Sequence, residues 1–375
     1  MATDYYSNSS RREVKKRRNP IVLRIFDVLL LLVSIVLFVA VAVVVIAPYI
    51  HPSVSWIFPI IGLFTPIIYL ISLFVTLYWV IRWKWFIAAP MLLVMLLGLG
   101  RVPLYVKINT SNDIGTGVSL KGSVRLLSYN IKSLSYNNED GSAADSFREF
   151  VDSVKADVIC LHEFYKGAFN RANVQSVKRY NLHHVGNLAI LSRYPIVGSS
   201  VNIAPYKSVG GGSIWVDLLV GSDTLRVFNN HLCSTTISDD DTDFITSPGS
   251  ILDSSRDERV RDIFKRLHAQ SIGRAEQAEV ITEVITQSRG AVVVCGDFND
   301  TPTSYTYHTM SKGLQDAFSR VGVGYSNTFS GFMNILRIDY ILGSKQIDFI
   351  LYERDAQMRA SDHYPIITNF KIKET

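Results

Sequence analysis

Two hydrophobic rhythms divide this chain. From Val28 to Ile81 no Lys, Arg, Asp or Glu interrupts the sequence, and a stretch apolar on every side predicts membrane helices rather than half-exposed surface ones. Val28–Ala47 is about 20 residues, enough to cross a ~30 Å hydrocarbon core as a helix. Pro48 and Pro52 end it. Trp56–Ile81 reads as a second span with kinks at Pro59 and Pro66. The basic loop Arg82-Trp83-Lys84 leads to a third span, Trp85–Leu104.

Beyond Lys121 the rhythm changes to short apolar runs, rich in β-branched residues, that alternate with helical spacing. Val124–Tyr129, Asp157–Leu161, Asn187–Ser192, Ser213–Val220, Thr224–Asn229, Val292–Cys295, Ile338–Leu342, Ile347–Tyr352 and Ile366–Ile372 predict strands. Gly296 is expected to end its strand, and Ile347–Tyr352 to pair with Ile338–Leu342. Asp145–Lys155 and Arg256–Ser288 have helical spacing, the latter with a break expected at Gly273. Gly210-Gly211-Gly212 matches no phosphate-binding fingerprint and reads as a loop or bulge. The alternation predicts an α/β domain.

Charge sharpens the division. The chain of 375 residues carries a net +5. Met1–Lys107 holds 11 basic and 3 acidic residues, and the rest 27 basic and 30 acidic. The excess of cations therefore belongs to the N-terminal part, and the mildly acidic remainder argues against long nucleic acid as a partner. The cluster Arg11–Arg18 beside an apolar run predicts retention on the cytoplasmic face. With Arg82 and Lys84 on the same face, three spans place the C-terminal domain outside the membrane. A signal peptide cleaved after Ala40-Val41-Ala42 is the alternative for the first span; the apolar run continues past that point. The expected organisation is a tail at 1–20, a membrane domain at 21–107, a linker at 108–121 and a soluble domain at 122–375.

Three cysteines, Cys160, Cys233 and Cys295, form neither an even set nor a Cys-x-x-Cys pair, which argues against a disulfide framework or a zinc site and predicts buried thiols. Asp239-Asp240-Asp241 lacks the spacing of a calcium loop and reads as solvated surface.

The candidate chemistry sits at strand ends: Asn130, Glu163, His231, Asp297, Asn299, Asp339, Asp362 and His363. Each alone has an ordinary explanation as a turn, cap or exposed strand end. Asp339 is the hardest to dismiss, because a carboxylate inside an apolar strand must find partners or shift its pKa. Together the eight are a set of hard oxygen donors with histidines, suited to Mg²⁺, with Mn²⁺ or Ca²⁺ possible, and to attack of water on a phosphate ester.

The motifs Ser128-Tyr129-Asn130-Ile131, Cys160-Leu161-His162-Glu163, Ala189-Ile190-Leu191-Ser192, Asn230-His231-Leu232, Gly296-Asp297-Phe298-Asn299, Arg337-Ile338-Asp339-Tyr340 and Ser361-Asp362-His363-Tyr364-Pro365 resemble, in order, those of the endonuclease/exonuclease/phosphatase superfamily, the deoxyribonuclease-I-like fold. The resemblance covers about Gly122 to Lys373. It implies a four-layer α/β sandwich of two packed mixed sheets flanked by helices, here preceded by three transmembrane helices. It further implies Glu163 as principal metal ligand with Asn130 beside it and Asp362 in support. Asp297 and Asn299 would orient water and phosphate, His363 would pair with Asp339 and act as base or phosphate-charge stabiliser, and His231 would contact the phosphate; the resemblance leaves open which group takes the proton from water. His162 departs from the Gln usual before the metal-binding Glu. The resemblance leaves the substrate open: a lipid or other envelope phosphoester, a DNA or RNA substrate, or no substrate at all in an inactive binding module on a membrane anchor.

Overall fold

The computed structural model describes residues 21–108, 120–134, 142–171, 179–205, 211–234, 256–358 and 360–373. The basic cluster at 11–18, most of the expected linker and the acidic triplet at 239–241 lie outside these residues.

The N-terminal part is a small helical bundle of α1 (Ile21–Ile46), α2 (Ile57–Leu63), α3 (Thr65–Ile81) and α4 (Trp85–Leu97). Its core is Leu37, Val75, Trp79, Ala88 and Met91. Polar contacts fix the register: Trp79 Nε1 donates to Ser34 Oγ at 2.7 Å, and Arg82 and Tyr78 both donate to Asp27, at 2.8 and 2.6 Å.

The expectation of three full spans is corrected here. Among the described residues only α1, with the turn after it, is long and apolar enough to cross a membrane alone. The second expected span is broken: α2 and α3 meet at 73°. Pro66 lies in the first turn of α3, where its missing N–H costs nothing, and the chain starts a new helix there instead of continuing the old one. The third expected span yields a helix of 13 residues, after which Leu99–Leu104 tightens into 3₁₀ geometry. Gly98 marks the change by lying against Tyr69, whose hydroxyl a Cβ would meet at 1.7 Å.

The C-terminal part follows the expected alternation. In chain order it comprises β1 (Val106–Lys107), β2 (Val124–Asn130), α5 (Ser142–Val154), β3 (Val158–His162), α6 (Lys166–Arg171), β4 (Asn181–Val185), β5 (Leu188–Ser192), β6 (Ile196–Ser199), β7 (Gly212–Val220) and β8 (Asp223–His231). Then come α7 (Arg256–Gln287), β9 (Ala291–Asp297), α8 (Tyr305–Met310), β10 (Gln315–Asp316), α9 (Ala317–Val321), β11 (Gly324–Tyr325), β12 (Asp339–Gly343), β13 (Ile347–Arg354) and β14 (Ile366–Ile372).

Two six-stranded mixed sheets, ordered β10-β12-β9-β8-β7-β6 and β13-β14-β2-β3-β5-β4, pack face to face. Their shared core includes Leu126, Val158, Cys160, Val227, Val293, Cys295 and Ile341. Helix α5 covers the outer face of one sheet through Phe147, Phe150 and Val151. Helices α7 and α8 cover the other through Ala278, Ile281, Ile285, Tyr307 and Met310. All three cysteines are buried and free.

Three local expectations are corrected. β13 pairs with β14, not β12, because the chain crosses from one sheet to the other after Gly343. Helix α7 runs unbroken through Gly273, which is buried within it: a single glycine costs a helix only about 1 kcal/mol against alanine, too little to break one packed on the sheet. Gly296 lies within β9, held by pairing on both sides, with φ at +142° and room only for a hydrogen, since a Cβ would sit 2.0 Å from Asn230 O.

The helical bundle is joined to the sandwich by pairing and by buried hydrogen bonds. β1 pairs antiparallel with β11, Arg337 Nη1 and Ser326 Oγ both donate to Leu104 O at 2.9 Å, and Tyr105 OH lies 3.0 Å from Thr303 Oγ1. At the break between α2 and α3, Thr65 Oγ1 lies 2.9 Å from Thr303 Oγ1, and Thr301 Oγ1 donates to Gly62 O at 3.3 Å.

Candidate active site

Strand periodicity builds the site. Side chains two apart share a face, so in β9 Asp297 continues the inward phase of Val293 and Cys295. The same phase carries Asn130 after Leu126 in β2, His162 after Cys160 in β3, His231 after Val227 in β8, and Asp339 before Ile341 in β12. The space between the sheets is therefore apolar along most of its length and polar at one end. Register brings the members level: His231 is opposite Asp297, Asp297 is opposite Asp339, and Asn130 is opposite His162. Asn229 ties the two sheets together behind this layer, donating across to Leu161 O and Ala189 O at 3.0 Å each.

The tightest group of metal-binding atoms among the described residues is Asp297, Asp339 and His363, whose donor atoms all lie within 4.8 Å of one another. His363 Nδ1 is 3.0 Å from Asp339 Oδ2, and its Nε2 is 3.7 Å from Asp297 Oδ2. Asn130 Nδ2 donates to Asp297 Oδ2 and to Glu163 Oε1, each at 3.1 Å, while its Oδ1 accepts from Lys132 N at 3.0 Å. Glu163 follows β3 in left-handed geometry (φ +50°), a conformation concentrated at functional turns. His231 Nε2 points at Glu163 Oε1 and Asp297 Oδ2 from 3.8 and 3.9 Å. It is buried and has no hydrogen-bond partner among the described residues.

Two predicted residues are engaged elsewhere. Asp362 accepts from Lys132 Nζ at 2.8 Å. Asn299, also left-handed at φ +53°, gives its backbone N–H to Asp297 Oδ1 at 2.8 Å and its side-chain amide to Leu232 O at 3.0 Å. Asn299 thus locks the Asp297 carboxylate and the segment after His231 into one unit.

Electrostatics follow from burial. Asp297 and Asp339 are each 1% exposed. Burial is the main influence raising the Asp297 carboxyl to about 6, and the Asp339 charge adds to it against the pull of His363 and His231. Burial disfavours the His363 cation, but Asp339 and Asp297 outweigh it and raise the imidazole to about 10. His162 moves the other way, well below the usual imidazole range, because it is buried and faces His231. Two buried carboxylates with Glu163 beside them form an anionic cluster that one imidazolium does not balance. That donor chemistry fits a hard divalent cation.

Sequence reasoning missed several supports. Asn187 Nδ2 lies 3.2 Å from His231 Nδ1 and orients that ring. Thr328 Oγ1 accepts from the N–H groups of Ile338 and Asp339 at 3.0 Å each. Phe329 forms a bridge with His363 and packs its ring 5.1 Å away. Asn187 began an expected strand, yet turn asparagines are too common to single out. Thr328 and Phe329 carry no sequence signal, because their roles depend on a loop fold.

A family model described as endonuclease/exonuclease/phosphatase matches residues 127–363, and one for a domain of unknown function matches residues 27–105. Among solved structures, the chain is similar to the endonuclease/exonuclease/phosphatase from Bacteroides vulgatus (TM-score 0.50, 19% identity, covering 67% of this chain and 99% of that one). It is also similar to the human nocturnin catalytic domain with bound sulfate (0.50, 17%, 68% and 97%). A third is D. rerio TDP2 complexed with a single-strand DNA product (0.50, 14%, 66% and 99%). A search of curated proteins finds no match. At such identities the structural likeness speaks for the fold alone.

Proposed function

We propose, from the premise that this chain belongs to the endonuclease/exonuclease/phosphatase family, that it is a membrane-anchored phosphoesterase acting on a lipid-linked or other envelope phosphoester. The enzyme class follows from the family, whose members hydrolyse phosphoesters with a divalent metal. The observation that carries the local reading is the buried Asp297–Asp339–His363 group next to Glu163 and Asn130 at the common end of both sheets.

The residues divide the work by charge. Glu163 and Asp297, with Asn130 adjoining, would hold the cation, which when bound polarises a phosphoryl oxygen and offsets charge in the transition state. Asp297 is fixed by Asn299 N–H and Asn130, so its remaining lone pairs can orient an attacking water. His363, held 3.0 Å from Asp339, has its imidazole raised by Asp339 and Asp297 against burial, so its role in this reading is to stabilise negative charge on phosphate. His231 aims an unpaired, buried Nε2 into the same space, as a phosphate contact requires. Asp362 acts through Lys132, whose ammonium it holds while the Lys132 backbone N–H donates to Asn130.

Anchoring is supported by the surface of the bundle. Leu29, Leu32, Val36, Leu70, Phe74, Leu93 and Leu97 are all exposed, and an apolar belt of that kind suits lipid rather than water. In this reading α1 crosses the bilayer, and α3 and α4, packed against it through Leu37, Val75, Trp79, Ala88 and Met91, share its apolar surroundings without each being a full span. Helix α2, bent 73° from α3, lies near the membrane plane beneath the sandwich, and the catalytic domain is extracytoplasmic. The test is a substrate panel on the full chain in detergent with Mg²⁺: phospholipid vesicles, DNA, RNA, and soluble phosphomonoesters and phosphodiesters. Cleavage confined to DNA or RNA would overturn the lipid reading.

A further inference from the structure

One loop touches both the candidate active site and the end of the helical bundle. It runs from β11 to β12, and hydrogen bonds tie its base. Tyr325 OH donates to Ile335 O at 2.6 Å, Asn327 Nδ2 to Asn334 O at 3.0 Å, and Thr328 N to Leu336 O at 2.8 Å. On one side Phe329 packs on His363, and the N–H and hydroxyl of Ser330 both donate to Asp362 O at 2.8 Å. On the other side the Phe332 ring packs 5.4 Å from Phe64, the residue at which α2 breaks into α3.

The tip is made in an unusual way. Phe332, Met333 and Asn334 have φ of +42°, +61° and +57°, three consecutive left-handed residues of which only Asn suits that conformation. A turn facing water would place Gly, Asn or Asp there. This turn uses Phe and Met: Phe332 is half-buried against Phe64, while Met333 is 70% exposed and Phe64 beside the turn is 37% exposed. An apolar side chain on a strained backbone, laid against the end of a helix whose exposed residues include Leu70, Ile71, Leu73 and Phe74, needs an apolar medium. A scattered exposed methionine would need no explanation; strain and apolar exposure also coincide at Trp83 (φ +55°, 78% exposed) in the loop between α3 and α4, but the Phe332–Met333 turn is the one that also reaches the candidate active site, through Phe329 and Ser330.

We infer that the Phe332–Met333 turn is a bilayer-contacting rim of the active site, seated beside Phe64 among the upper acyl chains of the membrane that holds the bundle. This rests on the anchoring proposed above. By this contact the loop that braces His363 and Asp362 is set at the level of the lipid phosphates. The partner it fits is the lipid surface itself.

The test uses single cysteines carrying an environment-sensitive fluorophore in the full chain, reconstituted into phosphatidylethanolamine–phosphatidylglycerol vesicles; the native cysteines are buried. Three variants are compared: Met333→Cys, Phe74→Cys on the outer face of α3, and Ser222→Cys in the β7–β8 turn at the far end of the sandwich. The expected result is blue-shifted emission, quenched by lipids brominated on the upper acyl chain, at 333 and 74, with water-like, unquenched emission at 222. Quenching at 74 with water-like emission at 333 overturns the inference and leaves anchoring standing. Water-like emission at both 74 and 333 overturns anchoring and the inference together. Quenching at 222 equal to that at 333 also overturns it, since the contact would then not be specific to the turn.

Discussion

Asp297 and Asp339 are register partners, directly opposite each other across the β9–β12 pair, and both carboxylates lie against the His363 imidazole, at 3.7 and 3.0 Å. Two like charges in one buried row repel each other, and the cation between them only partly offsets this. The arrangement is costly for the metal-free protein and useful only for the chemistry.

Asp297→Asn should therefore raise the stability of the metal-free protein while abolishing hydrolysis. The sign follows from the raised carboxyl, near 6 in the folded chain and about 3.9 when unfolded. A folded-state pKa above the unfolded one stabilises the fold at low pH, and that contribution is lost as pH rises through about 6. The gap between variant and parent, read by thermal melts in chelator, should be wider at pH 8 than at pH 5.

Asp339→Asn removes the charge that holds His363 as a cation. We expect hydrolysis to fall by roughly 10²- to 10³-fold, the usual cost of losing one electrostatic stabiliser. The His363 imidazole should also titrate lower, which NMR of its ring protons checks.

Gly296→Ala should not give a folded protein in useful yield. Its Cβ would overlap Asn230 O at 2.0 Å in a strand paired on both sides, and strain of this kind belongs to the class of substitutions costing more than roughly 4 kcal/mol. Circular dichroism and melting of the purified variant decide it.

Thr303→Val cuts the hydroxyl cluster that joins Thr65 and Tyr105 and should lower stability by about 1–3 kcal/mol, the cost of leaving buried polar partners unmade. Thr303→Ser should recover most of it. By the same reasoning a fragment beginning at Lys121 should be less stable than the full chain, because it lacks β1 and the Leu104 carbonyl that accepts from Arg337 and Ser326.

The sandwich was legible because its strands are short apolar runs whose inward phase turns polar at one end: Cys295 then Asp297, Cys160 then His162, Ile341 preceded by Asp339. Periodicity alone places those side chains between the sheets. The pairing of β13 was not legible, since nothing in Ile347–Tyr352 says which sheet the chain joins after Gly343. Hydropathy could see that Trp56–Ile81 is apolar, but not that Pro66 begins a helix at 73° to the previous one. Nor could the sequence show that Thr301 and Thr303, next to the Asp297 motif, bond to Gly62 and Thr65 more than two hundred residues earlier. Asp362 and His363 are neighbours in sequence, yet the first faces Lys132 and the second Asp339, a division set only by the backbone around them.

The most direct test of the central claim is the initial rate of hydrolysis of a soluble phosphodiester by the full chain in detergent, for the parent and for Glu163→Ala, with Mg²⁺ and with chelator. The account predicts that chelator abolishes the parent's activity, that Mg²⁺ restores it, and that Glu163→Ala stays inactive at Mg²⁺ concentrations that saturate the parent. Parent-like turnover by Glu163→Ala, or hydrolysis undiminished by chelator, would contradict it.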